Sequence, residues 1–436
     1  MVRSQLIILL RVIAGLVLLT SSALVACKPI PAGTPPLTTP PPTITVPIEL
    51  PIPISLSGSL DDQTLHILDE QIAAFETTNP DIRVEVVKPP RSAPAGPEPF
   101  AAELQQGDAS RDILLLNPAW LAGLAASGGL RPLNEYIRAY ELETRSFFPA
   151  SIQANTLDGQ IFALPWTIDG GLWYYRRDLL EKYGYEPPLT WDDLPSLIYN
   201  LRAQGERIQG YVWQGDGYET LTCNTLEFIW AYGGEAIDQG NIVFDSPATR
   251  TALHRMVNLI ASGISPPGVT AYREAATLAA FQSGEAVLMR NWSYAWDRLN
   301  RPDSTVAGRV GLAPLPASCL GGTSLALSAF SQHPEQAFRF MAFLVSYESQ
   351  AQLALRGTQP PALESVYADP SLLHQKPFLE ALHLALSTTR PRPQTPLYSK
   401  LSTIIYSEVH KMLTQEQGVE TTVENIQHHL SDLLQR

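Results

Sequence analysis

Four residues stand where a chain places groups for holding a ligand rather than for breaking bonds. Asp169 follows a predicted strand and precedes Gly170-Gly171, two glycines that would let another molecule approach the backbone. Trp166 sits three residues earlier. Trp292 lies between a predicted strand at 286–289 and a helix at 293–299, and Arg392 is held between Pro391 and Pro393. A carboxylate and a guanidinium take hydroxyl groups through directed hydrogen bonds, and an indole covers an apolar face. The set suits a small molecule with a hydroxylated rim and a C–H face. Each residue also has a plainer reading: Asp169 as a turn or cap, Trp166 and Trp292 as core, Arg392 as a surface cation with Arg390 an equally placed rival.

Signals for other chemistry are missing. The eight histidines form no HExxH, and the chain has no GxSxG, P-loop or GxGxxG. Those gaps weigh against hydrolase, ATPase and dinucleotide readings, and neither a metal nor a cofactor is expected. Three cysteines are too few for a four-thiolate zinc site or a disulfide scaffold. With 30 Lys+Arg against 43 Asp+Glu, the formal charge of −13 argues against a nucleic-acid partner.

The elements that must position these residues read as α/β. At 436 residues, 45% hydrophobic and 17% charged, the chain has globular composition and length for two or three domains. Leu65, Leu68, Ile72 and Phe75 recur at helical spacing, and Ile82 to Val86 alternates as a strand. A helix is expected over 100–107, then a short apolar strand over 112–116 of the kind buried in a parallel sheet, then a helix over 118–127. The order β-α-β-α-β-α implies a doubly wound lobe. A second set follows: strands at 161–165, 172–176, 211–213, 286–289 and 310–313, with helices at 177–183, 191–203, 221–232, 246–261 and 274–282. From Pro334 the chain reads as mostly helical.

The N-terminus supplies an address. Arg3 and Arg11 precede an apolar run from Val12 to Leu19, and small residues lead to Leu24-Val25-Ala26-Cys27. Residues 1–26 therefore read as a secretory signal, too short for a comfortable membrane span. The last four residues resemble a bacterial lipobox, in which Cys27 is diacylated and becomes the mature N-terminus. The alternative is an ordinary signal with an incidental cysteine. Two acyl chains would give stable membrane anchoring on the outer face of the plasma membrane or in the periplasm. Ten of the 37 prolines then fall between 29 and 53, so 27–55 reads as a stiff extended linker.

Four segments carry a family resemblance. The first runs from Gly159-Gln160-Ile161-Phe162-Ala163-Leu164-Pro165-Trp166 through Asp169-Gly170-Gly171-Leu172-Trp173-Tyr174-Tyr175-Arg176 to Thr190-Trp191-Asp192-Asp193-Leu194. The others are Gly210-Tyr211-Val212-Trp213-Gln214-Gly215, then Gly284-Glu285-Ala286 onward to Arg290-Asn291-Trp292-Ser293-Tyr294-Ala295-Trp296, and Pro391-Arg392-Pro393 with Tyr398 and Leu401-Ser402. In order and spacing they resemble extracellular solute-binding proteins of carbohydrate ABC importers, in the trehalose/maltose-binding branch, from about residue 55 to the end.

The resemblance implies a periplasmic-binding-protein type II fold: two interleaved α/β lobes, 56–164 with 309–346 and 165–308 with 347–436, joined by a hinge with the ligand cleft between them. It matches Asp169 to a carboxylate that takes sugar hydroxyls, Trp292 to a stacking indole and Arg392 to a bridge between ligand and lobe. Three positions depart from the pattern. Asn117 stands where relatives carry Asp. Gly321-Gly322 is followed by Thr323 where they carry Trp. The acid expected near the first helix start is unaligned, with Asp61, Asp62 or Gln63 as substitutes and Asp62 taken here. These departures leave trehalose, maltose, sucrose and glucosylglycerol equally open. Cys223 and Cys319 can pair in an exported chain, although Cys223 also stands in relatives without a partner.

The expectation is a lipid-anchored, monomeric substrate-binding subunit that captures a disaccharide or small glucoside, closes, and delivers it to separate ABC permease subunits, with no catalysis of its own. The rivals are a surface-anchored glycoside hydrolase, which also needs Trp plates and paired carboxylates, and a binding protein of the same fold for a non-sugar solute.

Overall fold

A computed structural model describes residues 50–435 except 59, 89–103 and 105. The signal, Cys27, most of the linker and five of the eight residues of the helix expected at 100–107 lie outside the described residues.

Two sheets organise the body. In the first, Ile52–Ser57 pairs in parallel with Ile82–Val87 on one side and Ile113–Leu116 on the other. Between Ile52–Ser57 and Ile82–Val87 runs the helix Asp62–Thr78. It starts where the Asp61 carboxylate accepts the Gln63 and Thr64 N–H groups at 3.1 and 3.0 Å, and it buries Ile67, Leu68 and Phe75. All four residues of Ile113–Leu116 are buried, as their unbroken apolar run requires. Beside them the long strand Ser318–Leu327 runs antiparallel, and Ala163–Gly170 pairs with its far edge.

The second sheet has the order Val310–Pro314, Leu172–Arg176, Ala286–Asn291, Gln209–Val212. Alternation along its strands feeds two apolar clusters: Tyr174 and Val212 face one, Trp173 and Tyr211 the other. In the second cluster Trp191 stacks on Phe228 at 3.8 Å and lies 4.9 Å from Trp173. Helices Glu219–Ala231, Pro247–Ala261, Tyr398–Leu413 and Val419–Leu434 complete that core.

The chain crosses between the sheets more than once. Only Gly171 separates Ala163–Gly170 of the first sheet from Leu172–Arg176 of the second. Val310–Pro314 returns through a short turn to Ser318–Leu327, and Thr389–Arg390 adds a parallel pairing to Ser318 and Cys319. Each sheet is therefore built from segments distant in sequence.

The two glycines at the first crossing yield to protein, not to an open approach path. A Cβ on Gly171 would lie 2.1 Å from the Glu227 Oε1 atom and 2.8 Å from an Arg290 nitrogen; one on Gly170 would lie 2.7 Å from Thr389 Cγ2. The expectation that they clear space for a ligand is corrected on that ground.

Candidate functional site

The first sheet delivers Asp169 near the end of Ala163–Gly170, and the second delivers Trp292 directly after Ala286–Asn291. They meet at Gly321. A Cβ there would sit 3.2 Å from the Trp292 ring and 3.3 Å from Asp169 Cβ, so the missing side chain lets the strand pass against both. Gly322 has φ +104, and a Cβ would fall 2.3 Å from the Thr167 carbonyl oxygen. Only glycine fits that kink, next to the register shift between Thr323 and Ser324.

Asp169 accepts hydrogen bonds from the Gly170 N–H at 2.8 Å and the Ser293 N–H at 3.0 Å. The second bond ties the first sheet to the turn that carries Trp292. Burial raises the carboxyl pKa to about 6, although both backbone donors and the Arg290 charge pull it down. A carboxylate this strained by desolvation gains from any further donor.

Beneath Trp292 lies a buried ion pair. The Arg290 guanidinium sits 4.0 Å from the Trp292 ring centroid and bonds Glu227 at 2.6 and 3.1 Å, with side-chain exposures of 0% and 1% for Arg290 and Glu227. Burial opposes the arginine charge, but the Glu227 carboxylate outweighs it and raises the pKa above the ordinary value. Glu227 also accepts the Cys319 N–H at 3.0 Å, which fastens the pair to the crossing strand. At the ring's edge, Trp292 Nε1 donates to Glu274 Oε1 at 3.3 Å, and Thr220 Oγ1 donates to the same oxygen at 2.8 Å.

Arg392 holds the other side of Gly321. It donates to Asn117 Oδ1 at 2.7 Å, to the Leu320 carbonyl at 3.1 Å and to Glu219 Oε1 at 2.8 Å. Asn117 caps the turn Pro118–Trp120 through the Ala119 N–H, so its amide is fixed at the end of Ile113–Leu116. Glu219 begins its helix and takes hydroxyl hydrogens from Tyr398 and Ser402, both at 2.5 Å. The rival Arg390 turns away to Glu235 and the Trp230 face.

Thr323 donates its N–H to Thr167 Oγ1 at 3.0 Å, while Thr167 donates to Gln359 Oε1 at 2.8 Å. Hydroxyls and an amide thus surround Thr323, the position noted above as a departure from the pattern of the resemblance. Asp61 is engaged as helix cap and as acceptor from Thr358, which leaves Asp62 exposed in the first turn. Trp166 is a core residue with no exposed surface, and Trp173, Trp191 and Trp213 are equally buried. With Trp230, five of the eight tryptophans thus serve packing.

Sequence reasoning did not single out Glu219, Glu227, Arg290 or Glu274. The signal was present for two of them: Glu227 is the one acid in the helix Glu219–Ala231 after its first residue, and Arg290 is the one charged residue in the strand Ala286–Asn291. Charges in such places need a partner. Among the described residues, no cluster of three His, Cys, Asp or Glu side chains could hold a metal, and no helix is long and apolar enough to cross a membrane.

A fold of two cross-connected α/β lobes, with residues of both converging at one glycine, defines a binding protein of the periplasmic type. Residues 62–351 match the model of the bacterial extracellular solute-binding protein family, and the chain belongs to that family. A Deinococcus radiodurans relative described as a probable ABC transporter-binding protein is 33% identical over 351 residues, covering 76% of this chain and 82% of its own. The maltose-bound T. maritima MalE3 structure is 37% identical with a TM-score of 0.77, covering 87% of this chain and 99% of that one. A solute-binding protein from Thermotoga lettingae bound to α-D-tagatose is 23% identical with a TM-score of 0.73, covering 88% and 99%. The chain is the substrate-binding component of an ABC transporter, exported, and it works with permease subunits.

Proposed function

We propose that this protein binds a disaccharide or small glucoside between its lobes, closes on it by hinge motion and hands it to the permease without chemical change. The observation that carries the reading is the meeting of Asp169, Trp292 and Gly321, with Arg392 bonded one residue away at the Leu320 carbonyl. A stacking ring, a carboxylate and a guanidinium are what a pyranose demands of its site. The 37% identity to a maltose-bound protein supports a glucoside. Asn117 and Thr323 favour a ligand shorter or differently hydroxylated than maltose, because one negative charge and one ring are replaced by an amide and a hydroxyl. Asn117, Gly322, Thr323 and Asp62 complete the proposed ligand contacts. Trp166 supports them from the core.

The same reading places the protein at the membrane through a diacylated Cys27, with lobes 56–164 plus 309–346 and 165–308 plus 347–436, acting as a monomer. A thermal-shift screen against trehalose, maltose, sucrose, glucosylglycerol and short maltodextrins tests it, since a ligand that binds only the native state raises apparent stability. One or more of these should raise the midpoint. No shift across the panel would overturn the sugar reading. Metabolic labelling with palmitate should mark the wild-type chain but not Cys27→Ser.

A further inference from the structure

Two cysteines of the body are unused by the site, and they touch. Cys223 lies in the helix Glu219–Ala231 and Cys319 in the crossing strand Ser318–Leu327. Their sulfurs are 2.6 Å apart across 96 residues of sequence, and the two residues are 1% and 0% exposed. Elsewhere in the chain the only other cysteine is Cys27, at the proposed lipidation position. We propose that Cys223 and Cys319 are joined as a disulfide in the exported protein.

Three observations converge. The two free thiols already face each other at 2.6 Å, so the sulfurs need only close the remaining gap to bond. The family is exported, and that side of the membrane favours disulfides. Cys319 is also fastened beside the buried ion pair of the site: Glu227 accepts its N–H at 3.0 Å. A covalent tie here would fix the helix that carries Glu219 and Glu227 against the strand that carries Gly321 and Gly322.

The chemistry is thiol–disulfide exchange with a disulfide-bearing oxidant, such as an oxidoreductase of the export compartment or oxidised glutathione. One cysteine thiolate attacks a sulfur of the oxidant, forming a mixed disulfide and releasing one thiolate. The second cysteine thiolate then attacks its neighbour's sulfur, closing the Cys223–Cys319 bond and releasing the second thiolate. Two electrons pass to the oxidant, and the two protons leave the cysteines for the released thiols. Because the folded pair is buried, the exchange takes place while the chain folds.

The test uses the full chain, expressed with its own N-terminus and recovered from the envelope fraction of a secreting host. It is unfolded without reductant, alkylated, digested and mapped by mass spectrometry. The expected result is a linked peptide pair containing Cys223 and Cys319, both unalkylated, that separates on reduction. Reductant should also lower the thermal midpoint of the wild-type chain by a few degrees, on the scale of a native disulfide closing a long loop. The double variant Cys223→Ser, Cys319→Ser should show no reductant effect. Quantitative alkylation of both thiols in the unreduced wild-type chain would overturn the proposal, whether or not the double variant folds. Sugar binding is read separately and does not decide it.

Discussion

The Arg290 guanidinium lies 4.0 Å from the centre of the Trp292 ring, on a strand whose four preceding residues, Ala286 to Met289, are apolar. The indole proposed to stack on ligand is thus itself seated on a buried charge, and that charge is held by Glu227. Ring, cation and carboxylate form one column from Trp292 to the crossing strand at Cys319.

Removing the platform should cost affinity without unfolding the protein, since Trp292 is only half-buried. Trp292→Ala is expected to weaken sugar binding by about tenfold or more, on the order of 1.4 kcal/mol, with little change in thermal midpoint. Calorimetric titration and a melting curve on the same preparation separate the two effects.

Removing the support should do the reverse. Arg290→Met leaves Glu227 buried without its counter-charge, which in comparable pairs destabilises by about 3–5 kcal/mol. Chemical denaturation should show that loss, and the paired variant Glu227→Gln, Arg290→Met should recover part of it.

Asp169 predicts a pH dependence. Its folded pKa of about 6 lies above the ordinary value of 3.8, because burial disfavours the charge. The folded protein therefore holds this proton more tightly than the unfolded chain. The stability contributed by protonated Asp169 is full below about pH 3.8 and is lost as pH rises through 6. Ligand affinity runs the opposite way, because accepting two sugar hydroxyls needs the carboxylate. Binding should be level above about pH 7 and weaken as pH falls through 6. In Asp169→Asn affinity should be low and flat over that range, and a wild-type profile with no step near 6 would argue against this role.

Gly322 offers a stability test. With φ at +104 and a Cβ position 2.3 Å from a carbonyl oxygen, Gly322→Ala should destabilise by about 2 kcal/mol or more. Gly321→Ala meets ring and Cβ atoms at 3.2 and 3.3 Å, a tighter fit than packing prefers, and should act mainly on ligand affinity.

Arg392 bridges Asn117 and Glu219 with separate nitrogens of its planar fork. Arg392→Lys keeps the charge but not the geometry, and affinity should fall at least fivefold, about 1 kcal/mol. Glu219→Gln should weaken binding through the loosened arginine, and the loss should be smaller in an Arg392→Lys background than alone.

The fold was largely legible because its signals are local. The apolar run at 113–116, the alternation at 82–86 and the helical spacing from Leu65 to Phe75 each depend on nearby residues, and each formed the expected element. Packing between distant segments was not legible. Gly171 reads locally as an opening, but its space is filled by Glu227, 56 positions onward. Trp166 beside Asp169 reads as a plate, yet strand alternation turns neighbouring side chains to opposite faces and the core takes it. Asp169, Trp292 and Arg392 were each visible by residue type and flanking pattern. Their shared contact with the stretch Leu320-Gly321 depends on a strand from elsewhere in the chain, and no window of sequence contains it.

The central claim is capture without chemistry, and one calorimetric titration with product analysis tests it most directly. The sugar giving the largest thermal shift is titrated into the protein, and the mixture is then analysed for hydrolysis products after prolonged incubation. The account predicts saturable binding of one sugar per chain, lost or strongly weakened in Trp292→Ala and Asp169→Asn, with the sugar recovered intact. Turnover of the sugar, or binding unaffected by both substitutions, would contradict it.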